Sequence, residues 1–125
     1  MSKEYGVLLI SHVEDIANGL AQLIDQVAGD VTIKTAGGTE DGDIGTSFDK
    51  ISAVLGEFEE DKVLAFYDLG SAKMNLEMAL EFTDKEVKLY ETALIEGSYV
   101  AASLLQADVD LATIEEQLKP LKIKD

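Results

Sequence analysis

The sequence predicts an α/β fold, an open parallel sheet in strand order 2-1-3-4 with helices on both faces and room for one further edge strand. Three observations predict it. Short runs rich in β-formers alternate with segments of helical spacing along the chain. The first of these runs is apolar without alternation, as a strand covered on both faces is. Each step from one strand to the next passes through a helical segment, the crossover that parallel pairing requires.

The elements follow in order. Tyr5 to Ile10 is the first strand. Residues 14–28 form a helix with Ile16, Leu20, Leu23, Ile24 and Val27 on one face, and Gly29 stops it. Val31 to Thr35 is the second strand, followed by the loop GGTEDGDIG. Thr46 or Ser47 caps the next helix, whose apolar face is Phe48, Ile51, Val54, Leu55 and Phe58. Val63 to Tyr67 is the third strand, and a helix with Ala72, Leu76, Ala79 and Leu80 on one face comes after Asp68-Leu69-Gly70-Ser71. Glu86 to Tyr90 alternates apolar and polar and reads as a half-exposed edge strand. A helix rich in small residues covers 94–107, and Asp110 caps a last helix that Pro120 stops. The alternating tail Leu121-Lys122-Ile123-Lys124 supplies the candidate extra edge strand.

Composition narrows the function. At 125 residues the chain suits one domain, residues 1–125. There is no cysteine, which excludes disulfides, thiolate metal sites and cysteine nucleophiles. The net charge is −15 and all ten basic residues are lysines, so neither nucleic acid nor an anionic membrane is an expected partner. A partner with a basic face is. The start, MSKEYGVLLISH, does not read as a signal peptide, and no run approaches the ~20 apolar residues of a membrane span, so the expected location is the cytoplasm.

In the 2-1-3-4 order the topological switch point lies between the first and third strands, and ligand chemistry belongs past their carboxyl ends. That rule selects Ser11-His12-Val13, the loop from Gly37 to Ser47, and Asp68 to Ser71. His12 is the only histidine. Elsewhere a lone loop histidine would pack or cap locally; at the switch point it is a candidate nucleophile. The helix that begins near Val13 offers free N–H groups and a positive dipole end to an anion there. Asp68 has two readings, a helix cap or the acceptor of the imidazole N–H that leaves the other ring nitrogen free. A receiver domain is a poor fit, because Ser11-His12 stands where its acidic cluster would hold magnesium. The loop has four glycines in eleven residues, at Gly37, Gly38, Gly42 and Gly45, and reads as a phosphate-binding or partner-facing loop or as a flexible turn. Thr39, Thr46 and Ser47 offer hydroxyls for a phosphoryl group or a helix cap, and Gly70 and Ser71 join them from the second turn. The spacing of Glu40, Asp41 and Asp43 is not that of a calcium loop, and no metal site is expected. Met74 and Met78, one turn apart, are core residues or a partner surface.

The stretches VLLISHVEDIANGL, TAGGTEDGDIGTS and YDLGSAKMN resemble, in order and spacing over nearly the whole chain, the phosphotransferase subunit of the bacterial dihydroxyacetone kinase that draws on phosphoenolpyruvate. That subunit is similar to the mannose-class enzyme IIA domain. The resemblance implies a homodimer with a phosphohistidine at His12, oriented by Asp68. It implies phosphoryl transfer from HPr to ADP on the nucleotide-binding subunit of the kinase, with ADP/ATP and magnesium belonging to that subunit and no cofactor here beyond the transient phosphohistidine. It also implies a single-domain form that depends on external HPr. The alternatives are a sugar-specific IIA component and a non-catalytic regulatory module. The expected dimer surface is the fourth strand and the helix after it, where Leu94, Ile95, Tyr99, Val100, Leu104 and Leu105 exceed what one covering face needs.

Overall fold

The computed structural model describes residues 3–124. Four strands pair in parallel in the order β2-β1-β3-β4. They are β1 (Tyr5–Ser11), β2 (Ile33–Gly37), β3 (Lys62–Tyr67) and β4 (Glu86–Tyr90). The helices are α1 (Glu14–Asp25), α2 (Phe48–Glu57), α3 (Gly70–Leu80), α4 (Leu94–Gln106) and α5 (Leu111–Leu118), with a 3₁₀ turn at Lys119–Leu121. The predicted fold class and strand order are those observed.

Alternation along the central strands sorts two cores. Val7, Leu9, Leu64 and Phe66 face one way and pack with Leu20 and Ile24 of α1, Ala101, Ala102 and Leu105 of α4, and Ile114 and Leu118 of α5. Leu8, Ile10, Val63, Ala65 and Tyr67 face the other and pack with Ile51 and Leu55 of α2 and Ala72, Leu76 and Ala79 of α3. Both faces are covered, so β1 and β3 have no wet side and need no polar residue until their ends.

The structure corrects three local expectations. The core line of α1 runs through Ala17, Leu20 and Ile24 and on to Ala28, while Ile16 and Leu23 are each 47% exposed and Val27 is also exposed. Small alanines let the helix approach the sheet closely, and the larger residues beside that line turn outward. The second strand begins two residues later than predicted and runs to Gly37, which pairs with Ser11. A β-carbon on Gly37 would stand 2.7 Å from the Glu14 Cα, so glycine ends this strand because α1 crosses it there. The tail adds no strand. It makes one antiparallel bridge, Thr92 to Lys122, because Pro120 in the 3₁₀ turn leaves too few residues to extend a ladder.

Candidate active site

β1 and β3 are neighbours in register, with Ile10 opposite Tyr67. The residues that follow, Ser11 and His12 on one side and Asp68 on the other, therefore meet at the carboxyl edge of the sheet. Asp68 is held by four donors. The Ser11 hydroxyl and the His12 backbone N–H donate to Oδ2, each at 2.9 Å. The Leu69 N–H and the His12 ring Nδ1 approach Oδ1 at 2.7 and 2.8 Å. Burial by itself would raise the pKa of Asp68, but the donors from His12, Ser11 and Leu69 outweigh it and hold the carboxyl below its ordinary value.

An ionised carboxylate only accepts hydrogen bonds, so Nδ1 carries the ring hydrogen. Nε2 then keeps its lone pair, and it meets the hydroxyl of Ser71 in the first turn of α3. The His12 and Asp68 side chains are only 16% and 18% exposed, so the ring is fixed yet open along one edge. Asp68 is not the cap of α3. Leu69 holds that position and makes no side-chain capping bond; Asp68 accepts from the Leu69 N–H, one residue before the first turn. The first turn of α1 carries Glu14 and Asp15, whereas that of α3 carries no acidic residue. Of the two helix starts, α3 is the one that touches Nε2 and the one with no carboxylate within its first turn.

The glycine loop is tied to the end of β1 at two points. The Gly38 N–H donates to the Ser11 carbonyl at 3.1 Å, and the Gly45 N–H donates to the His12 carbonyl at 2.8 Å. At the loop's tip the Gly42 N–H donates to the Thr39 carbonyl at 3.0 Å. Gly38 and Gly42 have φ of +73° and +86°, a backbone region that β-carbons disfavour. The hydroxyls separate as well. Ser47 caps α2 and accepts from the Lys50 N–H at 3.1 Å. Thr39 accepts from the Asp43 N–H at 3.1 Å, and Thr46 accepts from the Asn75 amide of α3 at 2.6 Å. Gly70 opens α3 next to Ser71. Among the predicted residues, His12, Asp68 and Ser71 are brought into contact; Gly38 and Gly45 support the backbone of His12 and its neighbour; Gly42 and Thr39 serve the loop itself, Thr46 ties it to α3 and Ser47 caps α2.

Two supporting roles go beyond the sequence reading, that of Ser11, which the switch-point rule selected only as part of a segment, and that of Lys50, which it did not select. Ser11 is fully buried, with its hydroxyl donating to Asp68 and accepting from the Val13 N–H at 3.1 Å. A lone polar residue closing an apolar run was its signal. Lys50 holds the base of the loop by donating to the carbonyls of Gly37 and Thr39 at 2.7 and 3.2 Å, a link that no local spacing announces. On the outer side of α3, Met74 is 67% exposed, and Met78 and Leu69 are exposed too, so the methionines are surface residues rather than core.

A parallel α/β sheet with a carboxylate-held histidine at its switch point, facing a helix start, is the arrangement of a domain that can take an anionic group on a ring nitrogen. The family model for the fructose IIA component of the phosphotransferase system matches residues 6–115. The phosphoryl donor subunit DhaM of a phosphoenolpyruvate-dependent dihydroxyacetone kinase from Listeria innocua is 48% identical over 99% of this chain and all of its own length. The DhaM phosphotransferase subunit from Lactococcus lactis is 45% identical over 96% of this chain and 98% of its own. A crystal structure of a protein of unknown function, 30% identical, superposes with a TM-score of 0.84 over 99% of this chain and 98% of its own. The chain belongs to the mannose-class enzyme IIA family and, within it, to the DhaM-type phosphotransferase subunits of dihydroxyacetone kinase.

Proposed function

We propose that this chain is a cytoplasmic phosphocarrier in which Nε2 of His12 takes a phosphoryl group from phospho-HPr and passes it to ADP on the nucleotide-binding subunit of dihydroxyacetone kinase. The observation that carries the reading is the 2.8 Å contact between Nδ1 of His12 and Asp68, which leaves Nε2 as the free nucleophile. In the first step the Nε2 lone pair attacks phosphorus. The N–P bond on the donor breaks and its electron pair returns to the donor's ring. The His12 ring then carries the phosphoryl group on Nε2, with the Nδ1 hydrogen still shared with Asp68, which offsets the positive charge that builds on the ring. In the second step a β-phosphate oxygen of ADP attacks, the Nε2–P bond breaks, and ATP leaves on the partner. The Ser71 hydroxyl and the orphan N–H groups at the start of α3 would donate to the phosphoryl oxygens.

No resident cofactor is called for, since nucleotide and magnesium belong to the partner subunit. One nitrogen must face donor and acceptor alike, so HPr and the kinase subunit bind in turn. Both would present basic residues to a chain of net charge −15. The chain would act as a homodimer. In the isolated chain Leu105 is already buried, and Leu94, Val100 and Leu104 pack on the core, which leaves Ile95 and Tyr99 as the exposed part of the expected surface.

The test is transfer with purified components. Label from phosphoenolpyruvate, passed through HPr, should appear on this chain and then in ATP when the ADP-loaded subunit is added. The label should be lost in acid and survive alkali, as a phosphoramidate does. His12→Ala should take no label while remaining folded, because a switch-point loop contributes little to the core. Label on the mutant, or no passage to ADP, would overturn the reading.

A further inference from the structure

The tail residue Lys124 takes no part in the chemistry described above, yet it is built into the support of Asp68. Its ammonium donates to the Tyr67 carbonyl at 2.7 Å and to the Thr92 carbonyl at 2.6 Å. It also lies over the Tyr67 ring, 4.5 Å from the centroid. The Tyr67 carbonyl belongs to the same peptide unit as the Asp68 N–H, and that N–H donates to the Ile10 carbonyl at 3.2 Å. In a trans peptide the two groups point in opposite directions. The N–H reaches toward β1, and the carbonyl reaches toward the β4 side. The β3–β4 ladder has ended there, because its last pair is Phe66 with Tyr90. Lys124 supplies the donor that the ladder does not.

The tail is held for this purpose along its length. Ala93 N–H donates to the Leu121 carbonyl at 3.0 Å, and the N–H groups of Ile123 and Lys124 share the Glu91 carbonyl at 3.0 and 3.1 Å. The Glu91 carboxylate in turn pairs with Lys73 of α3 at 3.0 Å. The tail thus connects the edge of the sheet, the start of α3 and the peptide that carries Asp68.

We propose that Lys124 is a positioning residue for phosphoryl transfer, fixing from the tail the Tyr67–Asp68 peptide that sets the carboxylate behind His12. Burial draws the Lys124 ammonium below the ordinary lysine value against the opposing fields of Asp68 and Glu91, so the two charged groups already sense each other. The role rests on the phosphocarrier reading above, but part of its test does not.

The test uses the full chain with Lys124→Met, Lys124→Gln and Lys124→Arg. Lys124→Met should slow single-turnover phosphorylation by phospho-HPr roughly tenfold, the scale of a small misplacement of a catalytic group, without weakening HPr binding. It should also shift and broaden the downfield Nδ1–H resonance of His12, which reports the Asp68 contact in the unphosphorylated chain with no partner present. Lys124→Arg, which keeps donors for both carbonyls, should restore most of the rate and the resonance. Lys124→Gln, which keeps an amide donor, should fall between and serves if Lys124→Met does not fold. A wild-type rate and an unmoved resonance in Lys124→Met or, if that variant does not fold, in Lys124→Gln would overturn the proposal, even with a lower melting temperature, and reduce Lys124 to a fastener of the tail. If the wild-type chain takes no label at all, the functional reading fails while the resonance still decides the position of Asp68.

Discussion

Two helices start beside His12, and their first turns are built in opposite ways. α1 begins two residues after His12 and α3 two residues after Asp68, and neither end is capped by a side chain. The first turn of α1 carries Glu14 and Asp15, and its backbone lies against Gly37. The first turn of α3 carries Gly70 and Ser71, no carboxylate, and the hydroxyl that touches Nε2. The positive end of α1 thus has carboxylates within its own first turn, while α3 has only Asp68 just before it, bound to the Leu69 N–H, and leaves its first-turn N–H groups for the phosphoryl group of the proposed reading. A helix start is therefore not by itself an anion site; in the proposed reading its first-turn residues decide which of the two neighbours serves the phosphoryl group.

The strongest challenge to this division is to release the ring. Asp68→Ala removes the acceptor that turns Nε2 toward α3, and single-turnover phosphorylation should fall by roughly tenfold to several-hundredfold, the scale of one positioned hydrogen bond with its electrostatic effect. It should not vanish, since the ring keeps a lone pair. The same variant has a signature in acid. The Asp68 carboxyl lies below its ordinary 3.8 in the folded chain, so the stability it contributes is fully present above that value and is lost as pH falls through the lowered one. The difference in melting temperature between wild type and Asp68→Ala should be constant near neutrality and shrink below about pH 4. An undiminished rate in a folded Asp68→Ala would leave Nε2 with no need of its partner and dissolve the comparison.

The contrast was only half legible in the sequence. The carboxyl edge was, because a strictly alternating order of strands and helices fixes where β1 and β3 end, and the chain's only histidine and Asp68 fall there. The choice between α1 and α3 was not. It depends on which way the ring turns, and that is set by Ser11, Leu69 and the His12 backbone acting together on one carboxylate. The core line of α1 was misplaced for a related reason, since Ala17 and Ala28 carry little hydropathy yet are fully buried, while Ile16 and Leu23 carry much and face out. Lys50 and Lys124 left no trace in sequence because their acceptors are backbone carbonyls, which every residue has.

Putting charge where α3 has none sharpens the comparison. Ser71→Asp places a carboxylate in the first turn of α3, beside Nε2. It should stabilise the helix by about 0.5 kcal/mol through the dipole. It should also slow phosphorylation by roughly tenfold, because the carboxylate takes the place of the incoming phosphoryl group and repels it. A higher melting temperature with a lower rate is a pairing that general damage does not produce. A rate equal to wild type would show that the phosphoryl oxygens do not use the start of α3.

The smallest effect should come from removing charge where α1 has it. Glu14→Gln with Asp15→Asn takes two carboxylates from the first turn of a helix that has no side-chain cap. The dipole then goes unanswered, and the cost should be on the order of 1 kcal/mol for the pair, read as a lowered melting temperature. Glu14 also stands 3.8 Å from Lys50, but both side chains are partly solvated, so that contact adds little. The phosphorylation rate should stay within about twofold of wild type, because in the proposed reading the phosphoryl group on Nε2 faces α3 and these carboxylates balance their own helix. Removing two negative charges also weakens attraction to a basic partner, so the matched control is Glu57→Gln with Glu59→Gln, exposed residues at and just past the end of α2. A rate that rises severalfold in the α1 pair and not in the control would mean that Glu14 and Asp15 repel the phosphoryl group. The two helix starts would then share the anion, and the division between them would be one of degree.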